Sequence, residues 1–200
     1  YTTAGKAGFI TALYIVIVPV LGLFMGKKPS VKMWLCIAMA LVGLYLLSMS
    51  GGFRLSKGDT LVLLCAVAFS FHIVTVDHYA SLVDGVKLSC IQFLVCGVLS
   101  GIMMLIFEKP TLSGLMSAAA PVLYAGVLSC GVGYTFQIIG QKYTKPTVAS
   151  LLMSLESVFA VIAGMIVLHE IPTVREAVGC VIMFAAIIIT QLPERKKAVV

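Results

Sequence analysis

Long apolar runs separated by short polar connectors follow one another along the whole chain. The runs cover roughly residues 3–25, 32–50, 59–80, 87–107, 119–139, 146–168 and 174–192. Each run is close to the ~20 residues that an α-helix needs to cross the hydrocarbon core of a bilayer. Because the connectors are short, consecutive helices must run in opposite directions. The pattern therefore predicts an all-α membrane protein, a polytopic helical bundle with seven transmembrane helices.

The composition agrees with this class, since 60% of the residues are hydrophobic and 11% are charged, whereas soluble domains carry about 25% charged residues. The six cysteines fall inside the predicted helices, without a spacing typical of a metal site or a disulfide framework. We therefore predict no metal and no cofactor. The basic residues behind the net charge of +6 lie between the hydrophobic runs, where membrane topology explains them, so we predict no nucleic-acid partner.

The lysines and arginines are distributed unevenly between the two sides of the predicted bundle. The side that holds the first connector has nine of them and the opposite side has five. Because cytoplasmic loops carry an excess of these residues, we expect the first connector and the C-terminus to lie in the cytoplasm. Lys6, near the opposite end of the first helix, is expected either to extend to the headgroups or to attract an anionic substrate group.

The first two predicted helices resemble the last two. An alignment that places Tyr1 on Tyr143 also places Gly22 on Gly164, and a single insertion extends the match into the following helix. We call this the repeat alignment. A repeat of this length contains five helices, and since five is an odd number, the two copies must insert in opposite directions. Inverted repeats are typical of secondary transporters, whose substrate site lies at the repeat interface near the bilayer midplane.

The repeat also predicts how the chain is organised. Residues 1–50 are expected to be the last two helices of a first repeat, and residues 51–192 the five helices of a second repeat. Residues 193–200 are expected to be a basic cytoplasmic tail. Three further helices would precede Tyr1, which gives a ten-helix, inverted-repeat (5+5) transporter of roughly 285 residues.

Four segments of the chain carry a resemblance to a known family. They are YTTAGKAGFITALYIVIVPVLG, GDTLVLLCAVAFSFH, QKYTKPTVASLLMSLES and SLESVFAVIAGMIVLHEIPTVREAVGC. Together they resemble the drug/metabolite transporter superfamily, in its EamA-like branch of ten-helix carriers. His169 and Ser157 depart from the family pattern, which commonly has glycine and proline there. The resemblance covers nearly the whole chain as helices four to ten and implies a carrier of small metabolites, amino acids or drugs in the bacterial inner membrane.

Glu156 lies near the middle of the sixth predicted helix. An ionisable group at this depth is costly and is therefore a functional candidate. It is either a substrate-binding or proton-coupling group, or a structural carboxylate bonded to a neighbouring helix. Ser150 and Ser154 share another face of the same helix, which lines either a substrate cavity or a packing seam. In the repeat alignment, Tyr14 stands where the later helix has Glu156.

Polar residues in other predicted helices complete the candidate site. Tyr134 and Gln137 share a face of the fifth helix, and with Tyr14 they are candidates for substrate contact. For Tyr134 and Gln137, the alternative is a hydrogen bond to a neighbouring helix. His72 and Asp77 in the third helix are candidates for gating or proton relay. The alternatives are a hydrogen-bonded core histidine and an interfacial aspartate.

These patterns predict a secondary transporter that moves a small metabolite or drug by alternating access, as an exporter. The expected partners are the small-molecule substrate, the lipid bilayer and, through the apolar last helix, a second copy of the chain. An intramembrane enzyme is the first alternative, but no HExxH, paired-aspartate, rhomboid-like or nucleotide-binding motif occurs. A seven-helix receptor is the second, and it fits the helix count but not the inverted repeat.

Overall fold

A computed structural model describes residues 4–48, 56–108, 110–167, 169 and 171–192 of the chain. The predicted tail at residues 193–200 lies outside them. Within the described residues, seven helical spans are long and apolar enough to cross a membrane: Lys6–Phe24, Val31–Ser48, Lys57–Ala80, Gly85–Phe107, Ala119–Gln141, Pro146–Val167 and Val174–Gln191. Each overlaps one predicted helix, and the described residues contain no strand. The prediction of an all-α, multi-pass membrane protein is confirmed.

The described residues contain twelve helical segments. In chain order they are α1 (Ala4–Thr11), α2 (Tyr14–Phe24), α3 (Val31–Ser48), α4 (Lys57–Ala80), α5 (Gly85–Phe107), α6 (Leu112–Ser117), α7 (Ala119–Leu123), α8 (Tyr124–Tyr134), α9 (Thr135–Gln141), α10 (Pro146–Met153), α11 (Glu156–Val167) and α12 (Val174–Gln191). Eleven of them build these spans, and one, α6, lies between the fourth and fifth spans. Segment α8 has the wide turns of a π-helix.

Side chains at the helix ends fix where several spans begin. The Thr173 hydroxyl accepts a hydrogen bond from the amide of Glu176 at 3.3 Å, and the Glu176 carboxylate accepts one from the amide of Thr173 at 2.7 Å. This reciprocal pair is a capping box at the start of α12. The Asp84 carboxylate caps α5 by accepting from the amides of Val86 and Lys87 at 3.0 and 3.1 Å. These bonds satisfy amides that a helix leaves unpaired in its first turn.

Two of the spans are interrupted near their middle. The first span breaks at Ala12 and Leu13, between α1 and α2, and the sixth breaks at Ser154 and Leu155, between α10 and α11. Proline is not the immediate cause, because Pro19 lies within α2 and the helix continues through it. We call α1 with α2 the first arm, and α10 with α11 the second arm.

The chain divides into two compact units. The first unit comprises residues Tyr1–Val74 and Pro146–Val200, and the second comprises Thr75–Lys145. Helix α4 begins in the first unit and ends in the second. The core of the first unit joins both arms to α3, α12 and the beginning of α4, and its fully buried side chains include Ile15, Leu44, Leu151 and Met183. This division follows packing and does not test the predicted repeat boundary at residue 50.

Helices α3 and α12 form the most extensive helix pair of the first unit. They cross at two glycines, where a Cβ at Gly43 would lie 2.8 Å from the Gly179 carbonyl oxygen and a Cβ at Gly179 would lie 2.7 Å from the Gly43 carbonyl oxygen. Small residues let membrane helices approach closely, so that van der Waals contact replaces the hydrophobic effect as the driving force. Any side chain at either position would force the helices apart.

The same helix pair is antiparallel and is joined at both ends by basic side chains. The Lys32 ammonium at the start of α3 donates to the carbonyl oxygen of Leu192 at the end of α12. Arg175 at the start of α12 donates to the carbonyl oxygen of Tyr45 at 3.4 Å, and its guanidinium lies 5.3 Å from the centre of the Tyr45 ring. Cations are favourable near the carbonyl end of a helix. Lys32 and Arg175 are equivalent positions in the repeat alignment, once its insertion is counted.

The second unit packs the end of α4 and the start of α5 against α9. Val76, Ala80 and Ile138 form its buried apolar cluster, with Leu88 packed against them. Segments α6, α7 and α8 carry no buried residue. Their apolar side chains are exposed, as expected of surfaces that face lipid or other helices.

Candidate functional site

A cavity of about 460 Å³ lies in the first unit, at the point where both arms are broken. Its size is within the range of small-molecule sites. From the first arm it is lined by Gly8, Thr11, Ala12 and Tyr14, from the second arm by Ser154, Glu156, Ser157, Ala160 and Val161, and from α3 by Leu47 and Ser48. The residues on either side of each break therefore form most of its wall.

The break in the first arm consists of tight turns. The Leu13 amide donates to the carbonyl oxygen of Ile10 at 3.1 Å, and the Ile15 amide donates to that of Ala12 at 3.0 Å. Both bonds reach three residues back instead of the four of an α-helix. The chain therefore leaves α-helical geometry for one turn at the depth of the cavity.

The break in the second arm repeats this pattern at the aligned positions. The Leu155 amide donates to the carbonyl oxygen of Leu152 at 3.1 Å, and the Ser157 amide donates to that of Ser154 at 3.3 Å. Both bonds again reach three residues back. The repeat alignment pairs these two bonds with the Leu13 and Ile15 bonds of the first arm, which has a further tight bond from the Val16 amide to the Leu13 carbonyl oxygen at 2.9 Å. The two arms thus share a backbone structure at the cavity although most of the side chains differ.

Tyr14 and Glu156 begin the second half of each arm, directly after the breaks. Both line the cavity. Tyr14 is buried, and its ring makes an edge-to-face contact with Phe69 of α4, with the centroids 5.3 Å apart. Glu156 is exposed. Of the described residues that line the cavity, Glu156 carries the only formal charge.

The two serines of the sixth helix have different positions. Ser154 lines the cavity and donates to the carbonyl oxygen of Leu151 at 2.6 Å. Ser150 is fully buried one turn earlier, donates to the carbonyl oxygen of Thr147 at 2.9 Å and is not part of the cavity wall. Since each hydroxyl donates its proton within its own helix, Ser154 can offer the cavity only the lone pairs of its oxygen, as an acceptor.

His72 lies one turn after Phe69 on α4. The two rings are stacked, with centroids 5.8 Å apart and an interplanar angle of 16°. Phe69 also contacts Tyr14, so an aromatic row leads from the cavity wall to the histidine. The Nε2 atom of His72 is buried and has no hydrogen-bond partner among the described residues. Sequence reasoning missed Phe69 because a phenylalanine in an apolar helix gives no signal of its own.

Tyr134, Gln137 and Asp77 lie in the second unit and are half-buried. Tyr134 is the last residue of the π-helical segment, and the side-chain nitrogen of Gln137 is buried without a partner among the described residues. The wide turns of α8 place side chains at other angles around the helix axis than an α-helix does. The faces that regular α-helical spacing predicts for the residues before Tyr134 are therefore shifted. The eight candidates are thus divided between the units, five in the first and three in the second, and their assembly into one site stays a prediction.

Lys6 and Asp59 form an ion pair that the sequence did not indicate. The Asp59 carboxylate also accepts a hydrogen bond from the Ser56 amide at 2.5 Å, while the Asp59 amide donates to the Ser56 hydroxyl at 3.2 Å. The spacing Ser-x-x-acid at the start of α4 is a recognisable capping signal. Its lysine partner lies 53 residues earlier, a distance that no local pattern can bridge.

Comparison with known proteins identifies the family to which this chain is similar. The EamA-like transporter family matches residues 56–192, which is more than half of the chain. The chain belongs to the EamA-like transporter family. Membership explains the seven apolar helices, and it agrees with the resemblance that the four sequence segments carry.

One relative and one solved structure extend the comparison of this EamA-like protein. An uncharacterized transporter of Archaeoglobus fulgidus is 32% identical over 193 residues, which are 96% of this chain and 62% of that protein. The chain therefore spans less than two thirds of this curated relative. A crystal structure of a protein with 20% sequence identity superposes with a TM-score of 0.80. The match covers 96% of this chain and 69% of the chain in that structure. At that identity the likeness shows the fold alone.

Proposed function

We propose that this EamA-like protein forms part of a secondary transporter that exports a small metabolite or drug by alternating access. The observation that carries the proposal is the cavity that the breaks of both arms line. Discontinuous membrane helices are typical of transporter substrate sites, because the broken turns expose backbone groups to the ligand. The matching hydrogen bonds of the two arms support the inverted repeat on which alternating access depends.

The cavity wall suggests what kind of ligand binds. Glu156 supplies a carboxylate, Tyr14 an aromatic ring, and Ser154 a hydroxyl oxygen. A carboxylate beside an aromatic face favours a ligand with an amino or other cationic group. We assign substrate contact to Tyr14 and Ser154, and substrate or proton coupling to Glu156.

The remaining candidates complete the proposed transport path. Tyr134, Gln137 and Ser150 are proposed substrate contacts, and His72 and Asp77 are proposed gating groups. The ten-helix 5+5 arrangement, the bacterial inner membrane, the cytoplasmic C-terminus and a homodimer through the last helix belong to the same proposal. The family and the absence of an enzyme motif in the sequence both favour transport over catalysis.

Transport by the complete reading frame that contains this chain, reconstituted in vesicles, tests the proposal. Wild type should move an amine-bearing metabolite, and Glu156→Gln should lower the rate by about tenfold or more, since hydrogen bonds to charged groups contribute ~1.5–3 kcal/mol. The Gln variant should also lose the pH dependence of transport. Glu108→Gln removes a carboxylate at the exposed end of α5 and is the matched control. If the rate and pH profile of Glu156→Gln equal those of wild type, Glu156 has no part in transport.

A further inference from the structure

The Lys6–Asp59 ion pair places two opposite charges inside the first unit. Asp59 is completely buried, and the Lys6 side chain is 16% exposed. Removing charges from water is costly, and a buried ion is tolerated when a partner and further hydrogen bonds compensate it. Asp59 meets both conditions, because it binds Lys6 and also caps α4 through Ser56. Separation of the pair therefore requires that water replace each partner.

The pair joins one half of the broken first arm to α4. Lys6 belongs to α1, and Gly8 and Thr11 of the same helix line the cavity. At the rise of an α-helix, Lys6 lies about 3 Å along the axis from Gly8 and about 7.5 Å from Thr11. The ion pair is thus located just beyond one end of the cavity wall.

The break gives α1 a point at which it can move independently of α2. Around the break the Leu13 and Ile15 amides bond three residues back instead of four, and such interruptions are common sites of bending. Beyond the break, Tyr14 contacts α4 through an edge-to-face contact between its ring and that of Phe69. A ring contact of this kind tolerates small shifts, whereas a buried ion pair is either formed or separated.

The second arm has no equivalent of this pair. In the repeat alignment Lys6 corresponds to Val148, which has no charge. The corresponding half-helix α10 packs against α2 through apolar contacts. One end of the cavity is therefore held by charges and the equivalent end of the other arm is not.

We propose that the Lys6–Asp59 pair is a latch that keeps α1 against α4 while the cavity is closed at this end and that separates whenever the cavity opens there. The inference rests on the alternating access proposed above. It assigns Lys6 and Asp59 as positioning residues, which set the balance between the two open states without contact to the substrate.

Cysteine accessibility tests the latch directly. The complete carrier, with its native cysteines replaced, receives one reporter, Thr11→Cys, and is labelled from each side of the membrane with an impermeant maleimide. Lys6→Met or Asp59→Asn should raise the labelling rate about tenfold from the side that holds Lys6, and lower it from the other side, because the open population shifts. Asp59→Asn keeps an oxygen for the Ser56 amide, so that the cap and the ion pair are tested separately.

Conservative and matched variants serve as controls. Lys6→Arg and Asp59→Glu keep both charges and should label like the parent within about twofold. Lys57→Met removes an exposed lysine at the start of α4 and should also leave the rates unchanged. A rise from both sides with Lys6→Met would indicate general loosening and would overturn the latch.

The two proposals fail in different ways. If the parent labels from both sides and the charge variants leave the ratio of the two rates unchanged, the latch is wrong and alternating access stands. If parent and variants all label from the same single side, the latch and alternating access both fail.

Discussion

The two arms have the same backbone break and different chemistry. In both, two amides around the break bond three residues back, at positions that the repeat alignment pairs. Ala12 occupies the break in the first arm and Ser154 in the second, and Pro19 corresponds to Val161. Neither a hydroxyl nor a proline is therefore required for the break. The comparison teaches that the two arms share a backbone break without sharing these side chains, so the side chains that differ set what each break can bind.

The charged groups are distributed in a complementary way. The first arm has Lys6 paired with Asp59 at its end and an uncharged Tyr14 at the break. The second arm has an uncharged Val148 at the equivalent end and Glu156 at the break. The two proposals made above accordingly assign gating to the first arm and coupling to the second.

The largest effect of a substitution is expected where α3 and α12 cross. These two helices follow the first and the second arm. Gly179→Leu should abolish folding or cost about 3 kcal/mol or more, because its side chain would overlap the Gly43 backbone. The control is Gly97→Leu, since a Cβ at Gly97 meets nothing within 4 Å. Thermal unfolding in detergent measures both variants, and equal stability would contradict the tight crossing.

The two residues that follow the breaks should differ in their effect on transport. Tyr14→Phe keeps the ring contact with Phe69 and should lower transport by only about two- to fivefold, the loss expected from one neutral hydrogen bond. Glu156→Gln should lower it more. Initial rates in vesicles compare the two, and a larger loss with Tyr14→Phe would reverse the assignment of coupling to the second arm.

The reciprocal basic contacts at the ends of α3 and α12 should contribute modestly. Arg175→Met should destabilise the protein by about 1 kcal/mol, because it removes a cation–π contact with Tyr45 and an exposed hydrogen bond. Arg175→Lys keeps the charge and should recover part of the loss. Thermal unfolding is the measurement, and an unchanged midpoint for Arg175→Met would show that the contact is not stabilising.

The smallest effect is expected at Ser154. Its hydroxyl bonds to its own helix, and the first arm breaks in the same way with Ala12 at this position. Ser154→Ala should therefore leave the break intact and change transport by less than about twofold, because the Ser154 hydroxyl donates its proton to its own helix and offers a substrate only its lone pairs. Initial transport rates in vesicles check this. A larger loss would show that Ser154 contributes more to substrate binding than this weak acceptor contact.

The sequence was sufficient to predict the helices and the correspondence between Tyr14 and Glu156 in the repeat alignment. Burial of apolar surface in a bilayer depends on composition over about 20 residues, so it can be read from one segment at a time. The correspondence at the break follows from counting along the repeat. The positions of Ser150 and of the residues before Tyr134 could not be predicted, because regular α-helical periodicity fails where α8 widens and where the sixth span is interrupted.

By itself, the sequence determined that this chain is a seven-span membrane protein, and its motifs indicated the family. Only the tertiary structure decided that both arms break beside one shared cavity and that Lys6 reaches Asp59. The physical reason is that hydropathy is a local property of the chain. A broken helix, a cavity or an ion pair between residues far apart in the sequence depends on which elements pack together.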